Sequence, residues 1–191
     1  MRPIKLIMSA FGPYAGVEEI DFREAVDAGL FGIYGPTGSG KSSIFSAMTF
    51  ALFGEGAKKE QSIITMRSQH ADPDRMTEVS FLFGLGDRRY FVRRQPDQAR
   101  PKKRGDGETV DSHAAWLFDA TDVPLDEVTI DNCGVVLAEK KVGEVGRQVR
   151  ELLGYGVEQF RQIVLLPQGR FEKFLLASSD ERVGILRELF D

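Results

Sequence analysis

The chain is poor in the residues that staple, ligate or anchor a protein. Its 191 residues include one cysteine and two histidines. Cys133 has no partner for an internal disulfide, and so few soft ligands exclude a structural zinc site. Long apolar runs are missing too. The longest uncharged stretches, 28–40 and 42–54, are too short and too glycine-rich or amphipathic to span a bilayer. The opening Met1-Arg2-Pro3-Ile4-Lys5 lacks the apolar segment of a secretory leader. Positive charge is not in excess. Lys+Arg is 25 against 29 Asp+Glu, a net charge of -4, which excludes a globally basic nucleic-acid coat but not a local basic patch. These absences point to the cytoplasm, with no membrane partner.

What is present suits one α/β unit. The length fits one domain, able to bury most of its apolar surface without staples. At 42% hydrophobic and 28% charged, the chain is not a disordered or collagen-like protein. The pattern predicts strands at Ile4–Phe11, Val17–Phe22, Leu30–Tyr34, Val79–Phe83, Arg89–Val92, Trp116–Phe118 and Gln162–Leu166. Val79–Phe83 and Arg89–Val92 read as a hairpin around Gly84-Leu85-Gly86-Asp87, and Leu30–Tyr34 as a strand buried on both faces. An amphipathic helix follows residue 41, with Ile44, Ala47, Met48 and Ala51 on its stripe and Gly54 as C-cap. A second covers Val142–Leu153, with Val145, Val149, Leu152 and Leu153 on one stripe and Gly154 after it. Two more follow Pro167. The last opens on Ser178-Ser179-Asp180-Glu181, a capping-box spacing, and shows no stop signal before Asp191, as in a helix that runs on. Residues 55–77 and 93–112 read as polar loops.

The sharpest motif is Gly35-Pro36-Thr37-Gly38-Ser39-Gly40-Lys41-Ser42, which fits G-x-x-x-x-G-K-[ST]. Glycines let the backbone curl around an anion, and the next helix turns its positive end to the same phosphates. Lys41 is the candidate cation for the β- and γ-phosphates, and the Ser42 hydroxyl the candidate ligand for Mg²⁺. A hydrolytic site also needs an acidic metal partner at the end of an apolar strand and a group that positions water. Four apolar residues followed by Asp-Glu occur nowhere. Ala114–Asp119 comes nearest, but Ala120 stands where the second carboxylate would be; Val123-Pro124-Leu125-Asp126-Glu127 has a proline inside the would-be strand. The motif therefore looks like half of an active site. A self-contained small P-loop kinase or GTPase is the alternative. It lacks the guanine-reading Asn-Lys-x-Asp, although Asp131-Asn132-Cys133-Gly134 fits D-x-x-G. A non-catalytic module that keeps nucleotide as a structural ligand is a third reading.

Three segments carry a resemblance: Ala10-Phe11-Gly12-Pro13-Tyr14, Gly35 through Phe45, and Val164-Leu165-Leu166-Pro167-Gln168-Gly169-Arg170-Phe171-Glu172-Lys173-Phe174-Leu175. Together they closely resemble SbcC, the SMC-like ABC ATPase family of the bacterial SbcCD DNA-repair nuclease. The resemblance implies an ABC-type head lobe with a mixed β-sheet. Residues 1–191 would form the N-terminal lobe, with Walker A and Q-loop, and 180–191 would start the helix leading to a coiled coil. It implies ATP and Mg²⁺ as ligands, held by Gly35, Pro36, Thr37, Gly38, Ser39, Gly40, Lys41, Ser42 and Ser43. Lys41 and Gln168 would be the catalytic residues, and Gln168 would join Ser42 at the metal and address the attacking water. It further implies nucleotide contacts at Ala10–Pro13 and Thr65–Ser68. Some relatives carry an arginine near Gly12; here Arg67 is the candidate substitute. The implied partners are the C-terminal lobe of the same ATPase, with its signature motif and Walker B carboxylates, a second head in an ATP-dependent homodimer, an SbcD-like nuclease partner, and DNA. The implied setting is cytoplasmic and nucleoid-associated. Arg93, Arg94, Arg100, Lys102, Lys103 and Arg104 form a basic stretch that suits phosphate backbone, or else a solvated loop.

Overall fold

The computed structural model describes residues 1–29, 31–58, 66–102, 106–163 and Ser178. The elements run β1 (Arg2–Phe11), β2 (Tyr14–Asp21), α1 (Arg23–Asp27), α2 (Lys41–Phe53), β3 (Glu78–Leu85), β4 (Arg88–Gln95), β5 (Gln98–Pro101), β6 (Glu108–Asp111), β7 (Ala114–Asp119), β8 (Val135–Glu139), α3 (Val142–Leu153) and α4 (Val157–Ile163). Six strands form one sheet in the order β2-β1-β3-β4-β7-β8. Every pairing among the described residues is antiparallel, so the parallel part of the expected mixed sheet is not among them.

Aromatic and β-branched residues hold the sheet. β3 is buried along nearly its whole length, which is why it sits between β1 and β4. Its register with β4 sets Phe83 opposite Tyr90, with ring centroids 5.8 Å apart. Leu6, Met8, Phe81, Phe83, Val92 and Leu117 face the helices, packing on Ile44, Phe50 and Ala51 of α2 and Val145 and Val149 of α3. Leu82 and Phe91 point the other way, onto Ala120, Val128 and Cys133.

Several expectations are met. The helix ends at Phe53 with Gly54 in the left-handed region at φ 77°, and the 142–153 helix ends on Gly154 at φ 79°. The β3–β4 hairpin turns at Gly86, φ 56°. Four expectations are corrected. Residues 31–34 are not a strand: Ile33 and Tyr34 are 36% and 93% exposed. An apolar run becomes a strand only where a neighbour completes its ladder, and no described strand pairs with it. α2 is buried nearly all round rather than amphipathic, with Ser46 and Thr49 inside beside Ile44, Met48, Phe50 and Leu52. Within 93–112, β5 and β6 pair as a hairpin. Gln162 and Ile163 complete α4 rather than open a strand, because Val157, Phe160 and Ile163 recur every third residue. The segments of this strand from 164, and of the two helices beyond it, lie outside the described residues, as does Gln168.

Candidate nucleotide site

The site is built on the start of α2. Gly40 is its N-cap, left-handed at φ 90°, and no side chain caps it, so the first-turn amides and the helix dipole are open to an anion. Gly38 is also left-handed, at φ 86°. The loop from Gly35 to Ser39 is exposed, and so is Ser42 in the first turn. Lys41 arches back over the loop. Its Nζ donates to Gly35 O at 2.8 Å, Pro36 O at 2.6 Å and Ser39 Oγ at 3.4 Å. The ammonium is thus held to its own loop by neutral acceptors. With no carboxylate in that set, its charge remains available to a phosphate.

A second wall comes from the β1–β2 turn. Ala10, at φ 47°, and Gly12, at φ 57°, bend the chain sharply at an irregularity in the β1–β2 register. The bend seats on 66–68: Gly12 N donates to Met66 O at 2.7 Å, Ser68 N donates to Ala10 O at 2.8 Å, and Phe11 bridges Arg67. A side chain at Gly12 would lie 3.0 Å from Ser43 Oγ, so only glycine lets the turn approach α2 this closely. The Ala10–Pro13 turn therefore touches Gly40 and Ser43 on one side and residues 66–68 on the other. Thr65 lies outside the described residues. Arg67 takes a structural post. Its guanidinium donates to Arg75 O, Thr77 Oγ1, Asp72 O and Pro73 O, tying down the 72–77 loop.

Among the described residues, no cluster of three or more His, Cys, Asp or Glu could hold a metal, and no helix is long and apolar enough to cross a membrane. Asp119 is occupied by its turn, accepting from Thr121 N at 3.0 Å. Asp126 pairs with Arg23.

A family model described as an AAA domain matches residues 5–191. The chain belongs to the AAA domain family. It is 48% identical over its whole length to the SbcC subunit of the SbcCD nuclease of Vibrio cholerae serotype O1, and it covers 18% of that protein. The SbcC proteins of Lactococcus lactis subsp. lactis and Staphylococcus aureus are 39% and 38% identical, again over the whole chain and 17% of their own length. The chain thus spans under a fifth of the curated relatives it matches.

In this AAA domain the basic stretch is partly spent inside. Arg94 is fully buried; its Nε donates to Ala51 O at 3.1 Å and its Nη2 to Leu52 O at 3.3 Å, capping the last carbonyls of α2. Burial lowers its pKa to about 10, still charged at neutral pH. Arg93 pairs with Glu78 at 2.6 Å and lies over the Trp116 ring. These two arginines leave the candidate DNA patch. Lys102 is exposed, while Lys103 and Arg104 lie outside the described residues. Arg161 holds a structural post that the sequence does not mark. It is buried, donating to Gly56 O at 2.6 Å and pairing with Glu55 at 3.1 Å, and so braces the chain just past α2. Only Glu158, three residues before it, hints at a fixed partner.

Proposed function

We propose that this AAA domain is the ATP-binding N-terminal lobe of an SbcC-like ATPase that controls a DNA-end-processing nuclease in DNA repair. The observation that carries the reading is the loop of residues 35–42, closed over Lys41 at the uncapped start of a buried helix. The residues fit the phosphates of MgATP: left-handed glycines, an exposed loop and a lysine held by neutral oxygens. Ser42, exposed in the first turn, fits a hydroxyl ligand for Mg²⁺, which keeps most of its waters and needs few protein groups. The metal would neutralise phosphate charge. Gln168 is the proposed second oxygen ligand and water-positioning group. Arg67 contributes by anchoring the Phe11–Gly12 turn through its backbone. Similarity to the SbcC relatives along the whole chain does not favour the self-contained kinase or GTPase.

In this reading the chain alone turns over almost no ATP. The carboxylate that activates water and the signature motif that clamps a second head's nucleotide belong to a C-terminal lobe outside these residues. Two ATP-joined heads, an SbcD-like nuclease partner and DNA would complete the assembly. Phosphoryl transfer depends on positioning and charge, so missing such groups costs orders of magnitude in rate. The test is steady-state ATP turnover by the 1–191 chain with and without the C-terminal lobe supplied in trans. Near-background turnover alone, restored by the lobe and abolished by Lys41→Ala, is the expected result. Robust Lys41-dependent turnover by the chain alone would overturn it.

A further inference from the structure

The β1–β2 turn does more than border the phosphate loop. Tyr14 donates its hydroxyl to Gly40 O at 3.3 Å. That carbonyl also accepts from Ser43 N at 2.9 Å and Ile44 N at 3.3 Å, the bonds that start α2. A methyl group on Gly40 would lie 2.7 Å from Pro13 Cγ, Tyr14 Cζ and the Tyr14 hydroxyl, so ring and proline press on the residue just before Lys41. The turn behind them is firmly seated: Thr77 Oγ1 donates to Ala10 O at 3.2 Å, beside the Met66 and Ser68 bonds already described. Burial, reinforced by the Glu18 charge, raises the phenol's pKa, so the hydroxyl stays a donor at neutral pH.

We propose that Tyr14 is a positioning residue for nucleotide binding: through Gly40 it fixes the phosphate loop in its closed shape, so its contribution goes to the phosphates and not to the base. The inference rests on the nucleotide reading of the loop. A preorganised loop loses less freedom on binding, and the gain is felt by any ligand that fills it. A ring stacked on the base would instead serve only ligands that have one.

The experiment compares Tyr14→Phe with the wild-type chain by calorimetry, titrating MgATP and, separately, magnesium tripolyphosphate, which has no base. The phenylalanine keeps the ring against Gly40 and removes only the hydroxyl. The expected result is a loss of roughly three- to tenfold in affinity, the same for both ligands, as for one lost hydrogen bond. Thermal unfolding without ligand should shift little, which separates positioning from a general structural role. Weakened ATP binding with unchanged tripolyphosphate binding would assign the residue to the base and overturn the proposal. Unchanged affinity for both would overturn it as well. A wild-type chain that binds neither ligand would overturn the nucleotide site itself, and the inference with it.

Discussion

His113 shows how far a single half-buried residue reaches. Its ring stacks on Phe50 of α2, with centroids 6.0 Å apart, and its Nε2 lies 3.4 Å from Arg94 Nη1. Burial and then the Arg94 charge lower its pKa below the ordinary 6.5, with Asp97 opposing weakly. The unfolded chain therefore binds a proton more readily than the folded one. Stability from this site is full above about 6.5 and is lost as pH falls toward the lowered folded value. Thermal unfolding followed between pH 7.5 and 5.5 should show the wild type losing more stability than His113→Gln; parallel curves would deny His113 this role. Residue-scale reading of the sequence reaches furthest where a motif is local. Lys41, Ser42 and the loop glycines follow from spacing alone, and the structure gathers them. It failed for Arg94 and Arg67. A cation's sequence neighbours do not reveal that it will be drawn inside to satisfy carbonyls from another element.

At the scale of elements, α2 is the keystone. Its N-terminus carries the proposed phosphate site, and its C-terminus is stopped by Gly54 and capped by Arg94. Gly54 needs its left-handed φ of 77°, and a methyl group there would lie 2.8 Å from Arg94 Nη1. Gly54→Ala should therefore cost about 1–3 kcal/mol, from backbone strain and a displaced guanidinium. Urea unfolding measures it; an unchanged midpoint would show that neither effect operates. Strands with local alternation or a tight hairpin turn, β1 to β4 and β7, were legible. β8 was not: Val135, Val136 and Leu137 are exposed at the sheet edge, and no alternating pattern marks them. The β5–β6 hairpin was hidden for the same reason, since polar strands lack a buried face to set their period.

Over the whole molecule, the sequence shows a phosphate loop set before a helix, and the structure shows how that loop is held. What it could not show is where an apolar run finds a partner. Residues 31–34 have strand composition, yet Phe31, Ile33 and Tyr34 stay exposed because pairing is a property of the assembled sheet. Lying just before the phosphate loop, they form an apolar surface that the proposed C-terminal lobe would cover. The central claim, however, concerns the loop itself. It is tested most directly by titrating MgATP into the wild-type chain and into Lys41→Ala, with the circular dichroism of both recorded. The account predicts saturable binding by the wild type, at least tenfold weaker binding by the variant, and matching spectra, because Lys41 sits on the loop and outside the core. Equal affinity in the two proteins would contradict it.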